Sequence, residues 1–523
     1  MELLQELVAT TRYVALLAIP YCIFIGVYQL LLHPLNRFPG PTTSKLTDFY
    51  GAYFAAGTAL HHRTRQDHLK YGPVMRHGPN KLVFNTVSAL QAIYQNDQVT
   101  KSRAYLVSQR APDTYSLWNA LDQGLHRSKR KIVGQVVNDR SMRAFEPTMI
   151  QEVDTFIRQI LLASQGNAPA PINMAERCKW LGMDVVGHLS FAYSLNLQTD
   201  PTYRFIIKSA ATANYFLNIN MQMPALAILH AELFVYLRAV MRGKSYLRTI
   251  QKMIKVRLAK DKHAEHDFYS FVADEMAMSK GEPMWKSEIW SEAIFFLTAG
   301  GDTTSTGLSA LFFYLTRNPR SYKKLAEEVR KTFSTGAEIR NGPQLASCSY
   351  LRACFDEALR MSPPIPGTLW RQQAADQAEF SEPLVIDGHI IPPGTQIGVN
   401  TYSLHHNEEY FPRPFNYIPE RWLPGCPEYQ TTNRNAFAAF SVGPRGCAGK
   451  AMAYLEASLV IAKTLWYFDF EEVACDASEA NRLNHEHENE YRLNDIVVST
   501  HDGPWLTFSP RTTCAAELGM RGS

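Results

Sequence analysis

The sequence predicts a mainly α chain with small β-sheets, preceded by one N-terminal membrane-spanning helix, and three observations carry that expectation. Helical periodicity dominates from about residue 120 onward, most clearly over 287–317, over 318–333 and after residue 449. The extended pieces are short and scattered, at Leu82-Val83-Phe84, at 385–400 and at 496–508. Residues 13–32, YVALLAIPYCIFIGVYQLLL, run for twenty positions without a charge.

A chain of 523 residues can bury a large core, and length alone argues for about three domains. No Gly/Ser linker or charge run divides it, which argues for fewer. Hydrophobic residues at 46% and charged residues at 20% are ordinary for a globular protein. The net charge is only +4, and no basic block is interleaved with aromatics, so nucleic acid is not an expected partner. Cys22, Cys178, Cys348, Cys354, Cys426, Cys447, Cys475 and Cys514 follow no framework spacing, which favours a reducing compartment.

As a helix, residues 13–32 would span about 30 Å, one hydrocarbon core. A cleaved signal peptide would have a shorter apolar region and a small-residue cleavage site, and neither is present. Arg12 before the span is offset by Glu2 and Glu6, while His33, Arg37 and Lys45 follow it, so the bulk of the chain is expected on the cytosolic side. Pro34, Pro39, Gly40 and Pro41 then make a stiff, non-helical hinge. The cluster from Leu125 to Lys131 opens a helix. Most of its charges read as a solvated face, but His126 and Arg130 lie four apart and share one side. Residues 150–280 are mainly helical, with an apolar stretch at 210–237 whose Met221, Met223 and Phe234 read first as packing.

The longest pattern, 287–317, has Ser287 as N-cap and Glu288 in its first turn. Asn318-Pro319 ends it and starts the next helix. Its middle, Ala299-Gly300-Gly301-Asp302-Thr303-Thr304, breaks local rules. Paired interior glycines cost about 2 kcal/mol of helix propensity, and a polar pair in an apolar setting needs partners. Such violations tend to mark functional sites; tight helix packing at the glycines is the plainer alternative. Phe295 and Ala299 precede Thr303 by eight and four residues, so the three share a face. A third helix near 347 contains Glu357 and Arg360, which alone read as a surface pair. Arg371 and Pro419-Glu420-Arg421-Trp422 follow in order.

The stretch from Phe440 to Gly449, FSVGPRGCAG, is a glycine-rich loop ending in one cysteine before an apolar helix. A thiolate at a helix start is favoured by the helix dipole, and Arg445 can hold an anionic group. No second ligand lies at zinc spacing, so one sulfur would hold a metal alone. A single axial thiolate on a haem iron meets that limit; a buried free cysteine after a turn is the plainer reading.

This stretch resembles the haem-binding signature F-x-x-G-x-R-x-C-x-G of the cytochrome P-450 family, matching at Phe440, Gly443, Arg445, Cys447 and Gly449. Residues 299–304 match the family's A-G-x-D-T-T, and E-x-x-R with the later Arg421 follows the family's order, so the resemblance runs from about residue 30 to 510. It implies the family's mostly α fold, with an anchor at 1–33, a hinge at 34–41, a catalytic domain at 42–510 and a polar tail at 511–523. By the same resemblance Cys447 ligates the iron of haem b (iron protoporphyrin IX). Arg130 and Arg371 reach its propionates, with His126 standing where related enzymes carry Trp. Glu357, Arg360 and Arg421 form a buried triad. Asp302 and Thr303 deliver protons to bound dioxygen, beneath a turn whose distortion frees a carbonyl. Phe295 and Ala299 border the substrate, and Gly503-Pro504-Trp505 turns into the pocket.

The implied activity is monooxygenation of an apolar small molecule. NADPH supplies electrons through a separate NADPH-cytochrome P-450 reductase, since no flavin or nicotinamide fingerprint occurs. The hinge and His126 are similar to fungal enzymes of secondary metabolism, and a single-pass endoplasmic reticulum anchor with a cytosolic catalytic domain is expected. Two alternatives stand beside it: a haem-thiolate isomerase or dehydratase that consumes no external dioxygen, and a non-enzymatic haem sensor. Retention of Asp302 and Thr303 argues against both.

Overall fold

One long helix organises the others. The computed structural model describes residues 16, 19–165, 170–228, 237–261, 267–272, 284–374, 382–473, 489–511 and 517. Its longer helices are α1 (Gln123–Val136), α2 (Asp139–Ser164), α3 (Met174–Phe191), α4 (Phe205–Gln222), α5 (Leu237–Leu258), α6 (Glu288–Arg317), α7 (Pro319–Thr332), α8 (Ser349–Met361) and α9 (Lys450–Tyr467). The Ser287 side chain accepts from the Trp290 N–H and caps α6, and Asn318 with Pro319 turns the chain into α7. Leu308, Leu311, Phe312 and Leu315 of α6 are buried with Leu181 and Val185 of α3, Phe355 and Leu359 of α8, and Leu459 and Val460 of α9.

The central helix is continuous across its two glycines, so the expected distorted turn with a freed carbonyl is not there. Instead the Thr303 hydroxyl donates to the Ala299 carbonyl at 2.6 Å. The glycines serve packing: a Cβ on Gly300 would stand 2.6 Å from a Val186 methyl, and one on Gly182 of α3 would stand 2.6 Å from the Gly301 oxygen. Bare backbone on both helices lets α3 lie close along α6.

The strands are short. β1 (Val74–Gly78), β2 (Lys81–Phe84), β3 (Val99–Lys101), β5 (Arg371–Gln373) and β8 (Gln396–Val399) form a sheet in the order β1-β2-β8-β5-β3. The β2–β8 pair is parallel and the other pairs are antiparallel. β4 (Ile172–Asn173), β10 (Trp505–Pro510) and β9 (Phe468–Glu472) form a second sheet, and β6 (Val385–Ile386) with β7 (His389–Ile390) a hairpin. The expected strand at 496–508 reduces to β10; before it the chain makes only an isolated bridge between Asn494 and Thr500. Asp495 is drawn inward there, its carbonyl and carboxylate both taken by the Asn218 amide.

No helix among the described residues is long and apolar enough to cross a membrane. The expected span at 13–32 lies in part outside them; residues 19–27 are α-helical and continue into a π-helical turn, Tyr28–Leu32. The hinge is not a free connector. Leu35 and Phe38 are buried with Leu82, Phe84 and Ile397 of the larger sheet, and the Arg37 guanidinium donates to the Ile390 carbonyl at 2.8 Å. Phe234 and most of the tail lie outside the described residues. Of the tail, Arg511 donates to the Trp466 carbonyl at 2.7 Å and Glu517 accepts from the Gly336 N–H at 3.0 Å.

Candidate active site

The loop from Ala438 to Gly449 and one face of α6 meet in a cavity of about 560 Å3. The loop folds back on itself. The Ser441 N–H donates to the Ala438 carbonyl at 2.8 Å, the Gly446 N–H to Gly443 at 3.0 Å, and the Cys447 N–H to Phe440 at 2.8 Å. Gly443 has φ +74°, and a Cβ there would collide with the Tyr94 carbonyl, so both its angle and its surroundings require glycine. Phe440 packs its ring 5.1 Å from that of Tyr454 on α9. Cys447 lines the cavity with Phe440, Arg445 and Gly449.

The sulfur does not stand at a helix start. α9 begins at Lys450 with Gly449 as its N-cap, so Cys447 sits in the turn before it. Cys447 is open to the cavity yet deep in the protein, and that burial pushes its thiol up from the ordinary value. The Gly449 N–H, Arg130 and Lys450 pull the other way.

Basic side chains gather around the loop. The Arg130 guanidinium, projected from α1, donates to the carbonyls of Gly446 at 2.7 Å and Cys447 at 3.3 Å. Arg445 donates to the carbonyls of Ala120 and Leu121, each at 2.8 Å, and to the Thr100 hydroxyl at 2.9 Å. Burial and the neighbouring Arg371 bring Arg445 down to about 10. Arg371 donates to the Trp370 carbonyl at 3.1 Å. Burial, with Arg445 next and Lys101, Arg130 and Arg371 after it, lowers His126 to about 3, so its imidazole is neutral near pH 7. Lys101 is a member that the sequence reading missed. It is buried, donates to the carbonyls of Leu117 at 2.8 Å and Trp118 at 2.6 Å, and is held well below the ordinary lysine value by burial and then by Arg371. A lone lysine in a three-residue strand gives no signal of this. Lys101, His126, Arg130, Arg371 and Arg445 all line the cavity, and no carboxylate among the described residues does.

On α6, Phe295, Ala299 and Thr303 line the cavity together. Asp302 does not. It points round the helix toward α3, where burial raises it to about 6 and the charge of Lys179 opposes the rise. The structure therefore separates the two polar neighbours: Thr303 faces the cavity and Asp302 faces the half-buried Lys179, a second residue that the sequence did not announce. The loop that enters the cavity near the C-terminus brings Val497 and Val498, not the expected Gly503-Pro504-Trp505.

Behind the loop lies a fully buried charge cluster. Glu357 takes both arms of Arg360, Nε and Nη2, at 2.9 Å each, and the Arg421 Nε at 3.2 Å. The Trp422 indole N–H at 3.0 Å and the Ile418 N–H at 3.1 Å complete its shell. Glu357, Arg360 and Arg421 are each at most 1% exposed. Such a cluster is tolerable only when every lone pair and proton has a partner, and spare arginine protons go to the carbonyls of His405 and Arg413. His405 links the cluster to the loop. Its Nδ1 bonds the Arg360 carbonyl at 3.0 Å and its Nε2 accepts the Ala438 N–H at 2.8 Å, so the proton resides on Nδ1. Burial and then Arg360 lower it to about 3. Nothing in the His405-His406 pair marks this role in the sequence.

The geometry can be set beside known proteins. The family model described as Cytochrome P450 matches residues 41–486. The chain is 32% identical to Cytochrome P450 monooxygenase poxM of Penicillium oxalicum, over 93% of this chain and 92% of that protein. It is 31% identical to Cytochrome P450 monooxygenase apf7 of Gibberella fujikuroi, over 94% and 96%. It is 30% identical to Cytochrome P450 monooxygenase atnE of Emericella nidulans, over 97% and 98%. With a mainly helical fold, small sheets and matches that run nearly end to end, this chain belongs to the cytochrome P450 family.

Proposed function

We propose that the chain is a haem-thiolate monooxygenase. It inserts one oxygen atom of dioxygen into an apolar small molecule, an intermediate of fungal secondary metabolism, and the other atom leaves as water. The single observation that carries the reading is that Cys447, from the loop, and Thr303, from α6, line one cavity whose described lining is apolar with basic and neutral polar side chains and contains no carboxylate.

Those residues fit haem b. One sulfur is offered without a second ligand at hand, and among the described residues no cluster of three or more His, Cys, Asp or Glu competes for a metal. Arg130, Arg371 and Arg445 supply the positive charge that two propionates need. When bound, haem supplies the dioxygen chemistry, and ligation by cysteine favours O–O cleavage. The chain does the rest. The Gly449 N–H and Arg130 stabilise the anionic form of Cys447 against its burial. The Thr303 proton is engaged by the Ala299 carbonyl, which leaves its lone pairs turned to accept another proton donor. Asp302, raised to about 6, exchanges a proton near neutral pH and feeds it from the Lys179 side of the helix. Phe295 and Ala299 hold the substrate against that face. Electrons come from NADPH through a separate reductase, and residues 13–32 anchor the enzyme in the endoplasmic reticulum membrane with the catalytic domain on the cytosolic side.

The test is spectroscopic. Cys447→Ala abolishes the red-shifted band of the reduced carbon-monoxide complex; wild-type intensity in that variant overturns the ligand assignment. Thr303→Ala diverts reducing equivalents, raising peroxide formed per NADPH consumed several-fold, and unchanged coupling removes Thr303 from proton delivery.

A further inference from the structure

The stripe on α6 extends further than the sequence reading took it. Ser291, Phe295, Ala299 and Thr303 recur every four residues, and all four line the cavity. Ser291 lies twelve residues before Thr303, about 18 Å along the helix axis. It is 7% exposed, and its hydroxyl has no hydrogen-bond partner among the described residues. Asn214 of α4 also lines the cavity, is also 7% exposed, and has an Nδ2 without a partner. The Trp118 indole N–H, on a ring stacked 6.3 Å from that of Phe295, is buried and unpartnered too. A buried donor left dry costs about 1–3 kcal/mol, so three lining one cavity are not explained by the fold of the chain alone.

These groups share a polarity. The amide N–H and the indole N–H are donors only, the hydroxyl can donate, and no carboxylate among the described residues lines the cavity to receive them. Charge is available as well. Arg110 lines the same cavity at its exposed edge. Its charge reaches the buried Tyr246 hydroxyl, which has no hydrogen-bond partner among the described residues. Arg110 stands apart from the guanidinium group around Cys447, where Arg130, Arg371 and Arg445 are each engaged by backbone carbonyls.

We infer that the substrate is an elongated apolar acid, whose carboxylate is received by Arg110 and by the unpaired donors on Asn214 and Ser291, and whose apolar remainder runs past Phe295 and Ala299 to Thr303. The inference rests on the monooxygenase reading of this cavity and adds the class of molecule it takes. The distance along α6 sets the length. A compact substrate cannot touch Ser291 and the Thr303 region together, whereas an extended chain of about fourteen or more carbons can (on the order of 18 Å from the helix rise).

The experiment titrates the ferric holoenzyme with straight-chain acids from octanoic to hexadecanoic, each beside its methyl ester, and reads the spin-state change in the optical spectrum. The acids of the upper range bind about tenfold or more tightly than their esters. Arg110→Gln lowers the affinity for the acid by about tenfold and leaves the ester unchanged, while Asn214→Leu weakens both. Equal affinities for acid and ester, no dependence on Arg110, or no spectral response to any member overturns the inference. The reduced carbon-monoxide band is recorded for every protein. Its presence shows an assembled centre, so a failed titration counts against the acid alone. Its absence from the unaltered enzyme counts against the monooxygenase reading instead.

Discussion

His405 joins two parts of the protein that are far apart in sequence. One nitrogen bonds the Arg360 carbonyl inside the charge cluster, and the other accepts the Ala438 N–H at the start of the cysteine loop. Replacing it with Phe, of similar shape, strands one buried carbonyl and one buried N–H. At about 1–3 kcal/mol each, the expected loss is about 2–6 kcal/mol. The denaturation midpoint of His405→Phe therefore falls with little change in denaturant dependence, and the haem-to-protein absorbance ratio falls with it. A midpoint within about 0.5 kcal/mol of the parent would show that His405 is a bystander. The residue was not legible beforehand because its importance lies wholly in what approaches it. Arg130 and Cys447 were legible, since a cation at helical spacing and a sulfur in a glycine-rich loop carry their chemistry wherever they sit.

Among the elements, the contact between α3 and α6 shows how a local rule can be broken for packing. Gly300 and Gly301 weaken a helix taken alone, yet here they let a second helix approach closely. The matching glycine on α3 is Gly182, where a Cβ would stand 2.6 Å from the Gly301 backbone oxygen. Backbone cannot yield as a side chain can, so Gly182→Ala is expected to cost about 1–3 kcal/mol and to lower the thermal midpoint. Gly134 of α1 is the control. A Cβ there meets nothing within 4 Å, and Gly134→Ala should stabilise by about 0.5–1 kcal/mol through helix propensity. Calorimetry on the two variants checks the contrast; equal effects would mean that the close approach is not rigid. The same contact turns Asp302 toward Lys179 and leaves Thr303 on the cavity, a division that adjacency in sequence does not express.

For the molecule as a whole, the proposed anchor at 13–32 is followed at once by residues of the folded body. Leu35 and Phe38 are buried in the sheet core, and the Arg76 N–H of β1 donates to the Pro39 carbonyl at 2.7 Å, so the hinge is part of the folded body. Deletion of residues 1–33 keeps both buried hinge residues while removing the uncharged stretch. Most of the truncated protein should move from the membrane pellet to the supernatant on ultracentrifugation. Sedimentation unchanged by the deletion would assign the attachment to another surface, such as the exposed Phe49, Tyr53 and Leu69.

The sequence by itself determined the family resemblance, the candidate thiolate ligand and the long helix with its cap and stop, because each is written in contiguous residues whose chemistry depends on short-range spacing. Only the tertiary structure decided that the glycine pair serves helix packing, that Asp302 and Thr303 face different surroundings, that Lys101 and His405 belong to the site, and that unpaired donors stand far along the cavity wall from Thr303. Those facts depend on which surfaces meet across hundreds of residues, and burial sets the protonation and pairing of a side chain only after that meeting is complete.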